Sequence, residues 1–254
     1  MWNHIFRIIK GDTYILLMSK FNQIFISIFL SCLASVLKGS SFPVQDDLQP
    51  LTPIMEKELR GCFDFFWEEW NDDQNSPTFG MTNGDYVGMN KYSPIAIEEQ
   101  GFYFAAIIIG VERKWITREQ GKKRILITLK TLKKLKRING FWYHFIDPDS
   151  GKRGWKDSKN IELSNASAGT MLLGALAAAE YFGGEIKTLT NQLYREMNWK
   201  WFTNPETKHP YLACYPEDLP DKVPFGITEE GMFGGWSAYA EHIFLYILAA
   251  GPPT

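Results

Sequence analysis

A carboxyl kept protonated by burial and a second kept ionised by hydrogen bonds can act together as general acid and base in a hydrolysis. One gives the leaving oxygen its proton, and the other activates water or attacks directly. Five carboxylates in this sequence stand where such a pair could form: Asp85, Glu98, Glu99, Glu162 and Glu241. Glu162 is the first candidate for the acid, because it follows a long loop (139–159) and immediately precedes an apolar helical segment. Its competing role is electrostatic, a negative charge beside a helix N-terminus. Asp85 lies in the Gly- and Asn-rich stretch 80–90 and is either a partner carboxylate or a turn residue. Glu98 and Glu99 open an otherwise apolar helix, and Glu241 follows Tyr239 on another. A charge in such a helix is costly unless it faces a polar cavity or has a partner. Each of the three therefore lines a cleft or is held in a buried ion pair.

Around these carboxylates stand residues that could hold a sugar. Trp142, Tyr143 and His144 follow Gly140, and Trp236 follows Gly234–Gly235. Rings on glycine-flanked loops either stack on sugars or pin the loops to the core. His144 is expected to bond a sugar or a carboxylate rather than to react. Tyr239 joins the candidate binding set. Asp147 and Asp149, in the run DPDSG, read as turn residues. His4, His144, His209 and His242 are widely separated, and Cys32, Cys62 and Cys214 show no metal spacing, so no metal or other cofactor is expected. A Cys62–Cys214 disulfide is conceivable, but two buried thiols are the stronger expectation.

The composition restricts the partners. With 27 basic and 29 acidic residues the chain has no basic surplus to recruit nucleic acid. Nine Trp, eleven Tyr and eighteen Phe supply rings for a core and for sugar platforms alike.

The elements that must position these groups are helices of two alternating kinds. Thr52–Pro53 offers a cap and a first-turn proline, and Leu59, Cys62, Phe63, Phe66, Trp67 and Trp70 form one apolar stripe. Residues 93–110 are apolar almost all round, which predicts a buried helix. Thr117 and Gln120 form a capping box before a stripe of Ile125, Leu126, Leu129, Leu132 and Leu135. Lys130, Lys133, Lys134, Lys136 and Arg137 are expected as its solvated face. Residues 165–182 are small and apolar, 186–197 again amphipathic, and 236–250 again apolar. The order outer, inner, outer, inner, outer, inner predicts helical hairpins, with long loops ahead of the inner helices and no period-two strands. A helical solenoid is the alternative arrangement.

Read from Met18, the sequence has a lysine, an apolar core over 24–30 and then small residues, the grammar of a secretory signal. Residues 29–32, FLSC, faintly resemble a lipoprotein box with Phe where Leu is usual. The expected organisation is a signal-like extension over 1–41, a linker over 42–51 and one domain over 52–254. Export to the periplasm or exterior follows, with lipid anchoring at Cys32 as a variant.

Three blocks carry a family resemblance: 93–119 (SPIAIEEQGFYFAAIIIGVERKWITRE), 140–154 with 162–184 (GFWYHFIDPDSGKRG and ELSNASAGTMLLGALAAAEYFGG), and 236–254 (WSAYAEHIFLYILAAGPPT). In order and spacing they resemble the bacterial glucoamylase-like (α/α)6-toroid family, whose members include endo-β-1,2-glucanases and the hydrolase-like part of cyclic β-1,2-glucan synthases. The resemblance implies an all-α toroid-type fold, hydrolysis of β-glucans by inverting carboxylates, and coverage of about half a barrel in three outer–inner hairpins. It also implies that a C-terminal half from another chain, or self-association, covers the last helix. The departures are specific. The family's E-x-S-[ST]-x-D-T block keeps Glu162 and Ser164 but has Ser167 for the Asp. The Y-D-E block keeps Tyr239 and Glu241 but has Ala240 for the Asp. Of the usual D-R pair only Asp85 is near. These changes leave two other functions open, a catalytically silent carbohydrate-binding remnant and a helical interaction module.

Overall fold

The structure is a computed structural model that describes residues 51–84, 93–154, 160–236 and 242–251. The signal-like extension and nearly all of the linker lie outside these residues. The chain divides into two compact units, Met1–Arg60 and Gly61–Thr254. In the first, the described residues begin helix α1 (Pro53–Glu68), with the Thr52 carbonyl accepting the Glu56 amide at 2.9 Å.

The second unit continues α1 and adds α2 (Ile97–Glu112), α3 (Arg118–Lys134), α4 (Asn165–Phe182), α5 (Gly184–Glu196) and α6 (Ile243–Ala250). The alternation is as the sequence predicts. Helices α2 and α4 are buried along most of their length and pack on one another, while α3 and α5 expose one face. Small residues permit the α2–α4 contact. A Cβ on Gly101 would overlap the Thr170 carbonyl, and one on Gly174 would overlap the Gly101 carbonyl. Backbones therefore touch here, which side chains on these two residues would prevent. The predicted capping box is present at Thr117, with the Gln120 side chain accepting the Thr117 amide at 2.8 Å.

The lysine face is solvated as expected and also carries surface pairs. Lys130 pairs with Glu185 and Lys133 with Gln192, tying α3 to α5. Lys136 and Arg137 lie beyond the helix end and reach Glu217 and Glu196. The α1 stripe turns inward at Phe63 and Phe66, while Cys62 is exposed. Cys62 and Cys214 are not bridged, and only Cys214 is buried. The last apolar helix is described from Ile243, because 237–241 lie outside the described residues.

Short strands, which alternation could not reveal, join the loops. β1 (Ile95–Ala96) pairs antiparallel with β2 (Phe145–Ile146). β3 (Leu163–Ser164), β4 (Ala213–Cys214) and β5 (Met232–Phe233) form a second sheet in that order. Each strand has only two residues, too few for a period of two to register in the sequence.

Candidate active site

Three chain segments that the sequence leaves far apart run side by side just before the inner helices. The Ile97 amide donates to the His144 carbonyl at 3.1 Å, and the His144 amide donates to the Glu162 carbonyl at 2.8 Å. β1 and β2 extend the first contact, and a Tyr143–Leu163 bridge extends the second. This ladder fixes register, so that Glu98 in the first turn of α2, His144, and Glu162 ahead of α4 converge. Ser164 caps α4 by accepting the Ser167 amide at 3.1 Å, which fixes where the helix starts relative to Glu162.

The side chains meet on one imidazole. His144 Nδ1 lies 2.7 Å from Glu162 Oε1, and its Nε2 lies 2.8 Å from Glu98 Oε1. The ring stacks on Phe145 with centroids 4.1 Å apart. Burial opposes a charge on His144, but hydrogen bonds and attraction from Glu162 and Glu98 outweigh it, and the imidazole is pushed up to about 10. Burial likewise opposes ionisation of Glu162. His144, with help from Arg153, wins, and the carboxyl is held below its ordinary range. His144 thus bridges Glu98 and Glu162, and the arrangement favours a charge on the ring and on Glu162.

The pull of His144 favours the ionised form of Glu162, the form a base uses, and the expected acid role would require that carboxyl to regain its proton. Trp142 takes the second of the two roles open to it. It is fully buried and its indole donates to the Leu132 carbonyl at 3.0 Å, so it pins the loop to the end of α3 and offers no face to a sugar. Tyr143, also buried, donates to Glu217 at 2.5 Å. Glu99 is not part of the cluster on His144; its Oε2 is directed toward Gly84, where a Cβ would stand 3.2 Å away. Trp236 stacks on His242, centroids 4.8 Å apart. Asp85, Tyr239 and Glu241 lie outside the described residues. The turn roles of Asp147 and its neighbours hold: Asp147 Oδ1 accepts the amide and the hydroxyl of Ser150, both at 2.7 Å.

Sequence reasoning missed two residues beside the cluster. Arg153 donates from Nε to the Ile161 carbonyl at 2.8 Å, pairs with Asp218 at 3.3 Å and lies over the Tyr143 ring at 4.8 Å. It supplies positive potential to Glu162. Burial first, and the charge of Glu162 next, push the Tyr215 hydroxyl above its ordinary range. The signal for Arg153 was its position in the second resemblance block. Tyr215 had none, because only the β3–β4 pairing brings it near.

Similarity to known proteins agrees with this architecture. No family model matches the chain. The chain is 26% identical over 243 residues to the exo β-1,2-glucooligosaccharide sophorohydrolase (non-reducing end) of Parabacteroides distasonis, covering 82% of this chain and 31% of that protein. Its structure superposes on the endo-β-1,2-glucanase of Chitinophaga pinensis with a TM-score of 0.62 at 25% identity, over 81% of this chain and 48% of the other. A β-1,2-glucanase of Parabacteroides distasonis gives 0.60 at 26%, over 80% and 28%. The chain thus spans between about a third and a half of the length of these relatives. The fold is all-α, of the toroid type, and comprises about half a barrel.

Proposed function

We propose that this chain, which is similar to the glucoamylase-like (α/α)6-toroid proteins, forms part of a glycoside hydrolase acting on β-linked glucans, with β-1,2-linked oligosaccharides as the substrate class. The observation that carries this reading is the Glu98–His144–Glu162 cluster, built from the two most extensive blocks of resemblance and set at the loop ends of the inner helices. In it Glu162 is the ionised carboxylate that orients or deprotonates water. Asp85 and Glu241 are the candidates for the proton donor. Arg153, held by the Ile161 carbonyl and Asp218, adds positive potential at Glu162.

The test is hydrolysis of β-1,2-glucan oligosaccharides by this chain alone and by the chain joined to a C-terminal half-toroid. Glu162→Gln should remove most of any activity, on the order of 10²–10⁴-fold, with the helical circular dichroism unchanged. Turnover retained within a factor of a few would assign Glu162 to structure.

One observation favours a second reading. Ser167, which stands where the family motif has Asp, is buried with its hydroxyl 2.9 Å from that of Ser164. A hydroxyl spent on the helix cap cannot replace a carboxylate, and this supports sugar binding without turnover. Calorimetric binding of oligosaccharide with no product released would select that reading.

Two further expectations belong to the proposal. The exposed apolar residues Ile243, Tyr246 and Ile247 on α6 support association with a complementary half-toroid or a second copy. Export rests on the signal-like grammar from Met18. Mass spectrometry of the mature N-terminus tests it, with cleavage expected between about Cys32 and Ser41 or a lipid on Cys32.

A further inference from the structure

We propose that Glu98 is a positioning residue rather than a sugar contact: by accepting the Nε2 proton of His144 it makes both ring nitrogens donors, and so fixes the ring and the carboxylate of Glu162 in one arrangement. The inference rests on reading this cluster as the catalytic site and assigns the proton bookkeeping within it.

The argument is one of donors and acceptors. An imidazole flanked by a carboxylate on each nitrogen, at 2.7 and 2.8 Å, must place a proton in both contacts, since two facing lone pairs would repel. A neutral ring can donate only once, and the second contact then needs a protonated carboxyl. Glu162 has Arg153 in its neighbourhood, whose positive charge disfavours a proton there. The proposal places both protons on the ring, against the alternative of a neutral ring facing a protonated Glu98, which the titration below separates from it. Without Glu98 the second ring proton loses its acceptor: a neutral ring keeps one proton, which the Glu162 carboxylate holds on Nδ1, and the charge that draws Glu162 to the ring is gone. Two further features show that Glu98 is committed to this contact. The backbone of Ile97 is bonded to the His144 carbonyl, which sets the first turn of α2 against the ring. The other oxygen of Glu98, Oε2, is buried without a hydrogen bond, so the carboxylate has no competing anchor. Glu99, the adjacent carboxylate, is turned toward Gly84 and cannot substitute. Among the described residues, the charged or titratable groups that act on the ring and on Glu162 are Glu98, Glu162, Arg153 and Tyr215.

The experiment is nitrogen-15 NMR titration of histidine-labelled full chain between pH 5 and 9, for wild type, Glu98→Gln and Glu162→Gln. His4, His209 and His242 are the internal comparisons, and His144→Gln assigns the signal. Wild-type His144 should show two protonated nitrogens throughout that range. In Glu98→Gln its titration should drop by at least one pH unit into the range and resolve into one protonated and one bare nitrogen. Glu162→Gln, the positive control, should also lower it. Where glucan hydrolysis is measurable, Glu98→Gln should lower kcat about ten-fold or more, leave KM within two-fold and move the acidic limb of the pH profile upward. A neutral single-tautomer His144 at pH 7 in the wild type overturns the proposal even if the variants do not fold. An unchanged His144 titration in Glu98→Gln also overturns it. Absence of hydrolysis by every protein, with the NMR shifts as expected, would refute the hydrolase reading while leaving the role of Glu98 intact.

Discussion

The two sides of helix α4 follow different packing rules. On one side it meets α2 backbone to backbone, with Gly101 and Gly174 seated against opposing carbonyls. On the other it meets α6 through side chains, with Phe244 and Leu245 over Gly169, while Ile243, Tyr246 and Ile247 of α6 remain exposed. The first seam resembles the interior of a finished domain, where a single methylene is felt. The second has room to adjust and an apolar face beyond it. Small residues on one helix thus have different costs of replacement depending on whether backbone or a flexible side chain lies opposite.

The largest expected effect tests the tight seam. Gly174→Leu should cost at least about 3 kcal/mol and abolish cooperative unfolding, because a carbonyl cannot move aside without displacing a helix. Urea denaturation followed by circular dichroism measures it. A loss under 1 kcal/mol would mean that the two inner helices are not in backbone contact.

Next comes the polar end of the same seam. His144→Ala leaves two carboxylates facing each other and should cost about 2–3 kcal/mol at pH 6, a buried pair discounted for partial exposure. The sign with pH follows from both partners. The raised His144 contributes fully below its unfolded value of about 6.5, and this is lost as pH rises through about 10. The lowered Glu162 contributes above its unfolded value of about 4.3, and this is lost as pH falls through its folded value. The stability gap between wild type and variant should therefore be widest at roughly pH 5–6.5 and close on either side. A gap that grows steadily to pH 10 would contradict an imidazolium.

On the looser side, Gly169→Ala should cost no more than about 1 kcal/mol, since the atoms opposing a new Cβ are the ends of Phe244 and Leu245. A loss equal to that of Gly174→Leu would erase the distinction between the two sides. Smallest of all, Ile247→Ser on the exposed face should alter the stability of the isolated chain by less than about 0.5 kcal/mol. It should nevertheless reduce self-association seen by sedimentation. A destabilisation of several kcal/mol would show that this face is already covered.

How far the sequence could be read depended on the length over which each signal repeats. Helices α2 and α4 were legible because an unbroken apolar character runs through 16 and 18 residues. Thr117 and Gln120 were legible because a capping box is a fixed local spacing. Glu98, His144 and Glu162 could each be singled out, but their union could not, since two-residue strands and two backbone hydrogen bonds set it. The two roles of Trp142 stayed open because glycine neighbours signal a loop without saying which carbonyl its indole will find. Lys136 and Arg137 continued a lysine pattern past the point where the helix stops.

The position of Cys214 has a kinetic consequence. It lies on the middle strand of the second sheet, paired with Leu163 directly after Glu162, and its thiol is pushed up to about 12 by burial and then by Glu230. A thiol this weakly acidic and this enclosed reacts with an alkylating reagent only during excursions that part the strands. Exposed Cys62 has no such gate. In a chain with Cys32 replaced, Cys62 should be labelled first, and the lag before Cys214 follows would time the opening of the strands beside Glu162. A bound oligosaccharide that bridges those strands should lengthen the lag, turning an inert sulfur into a stopwatch for ligand occupancy.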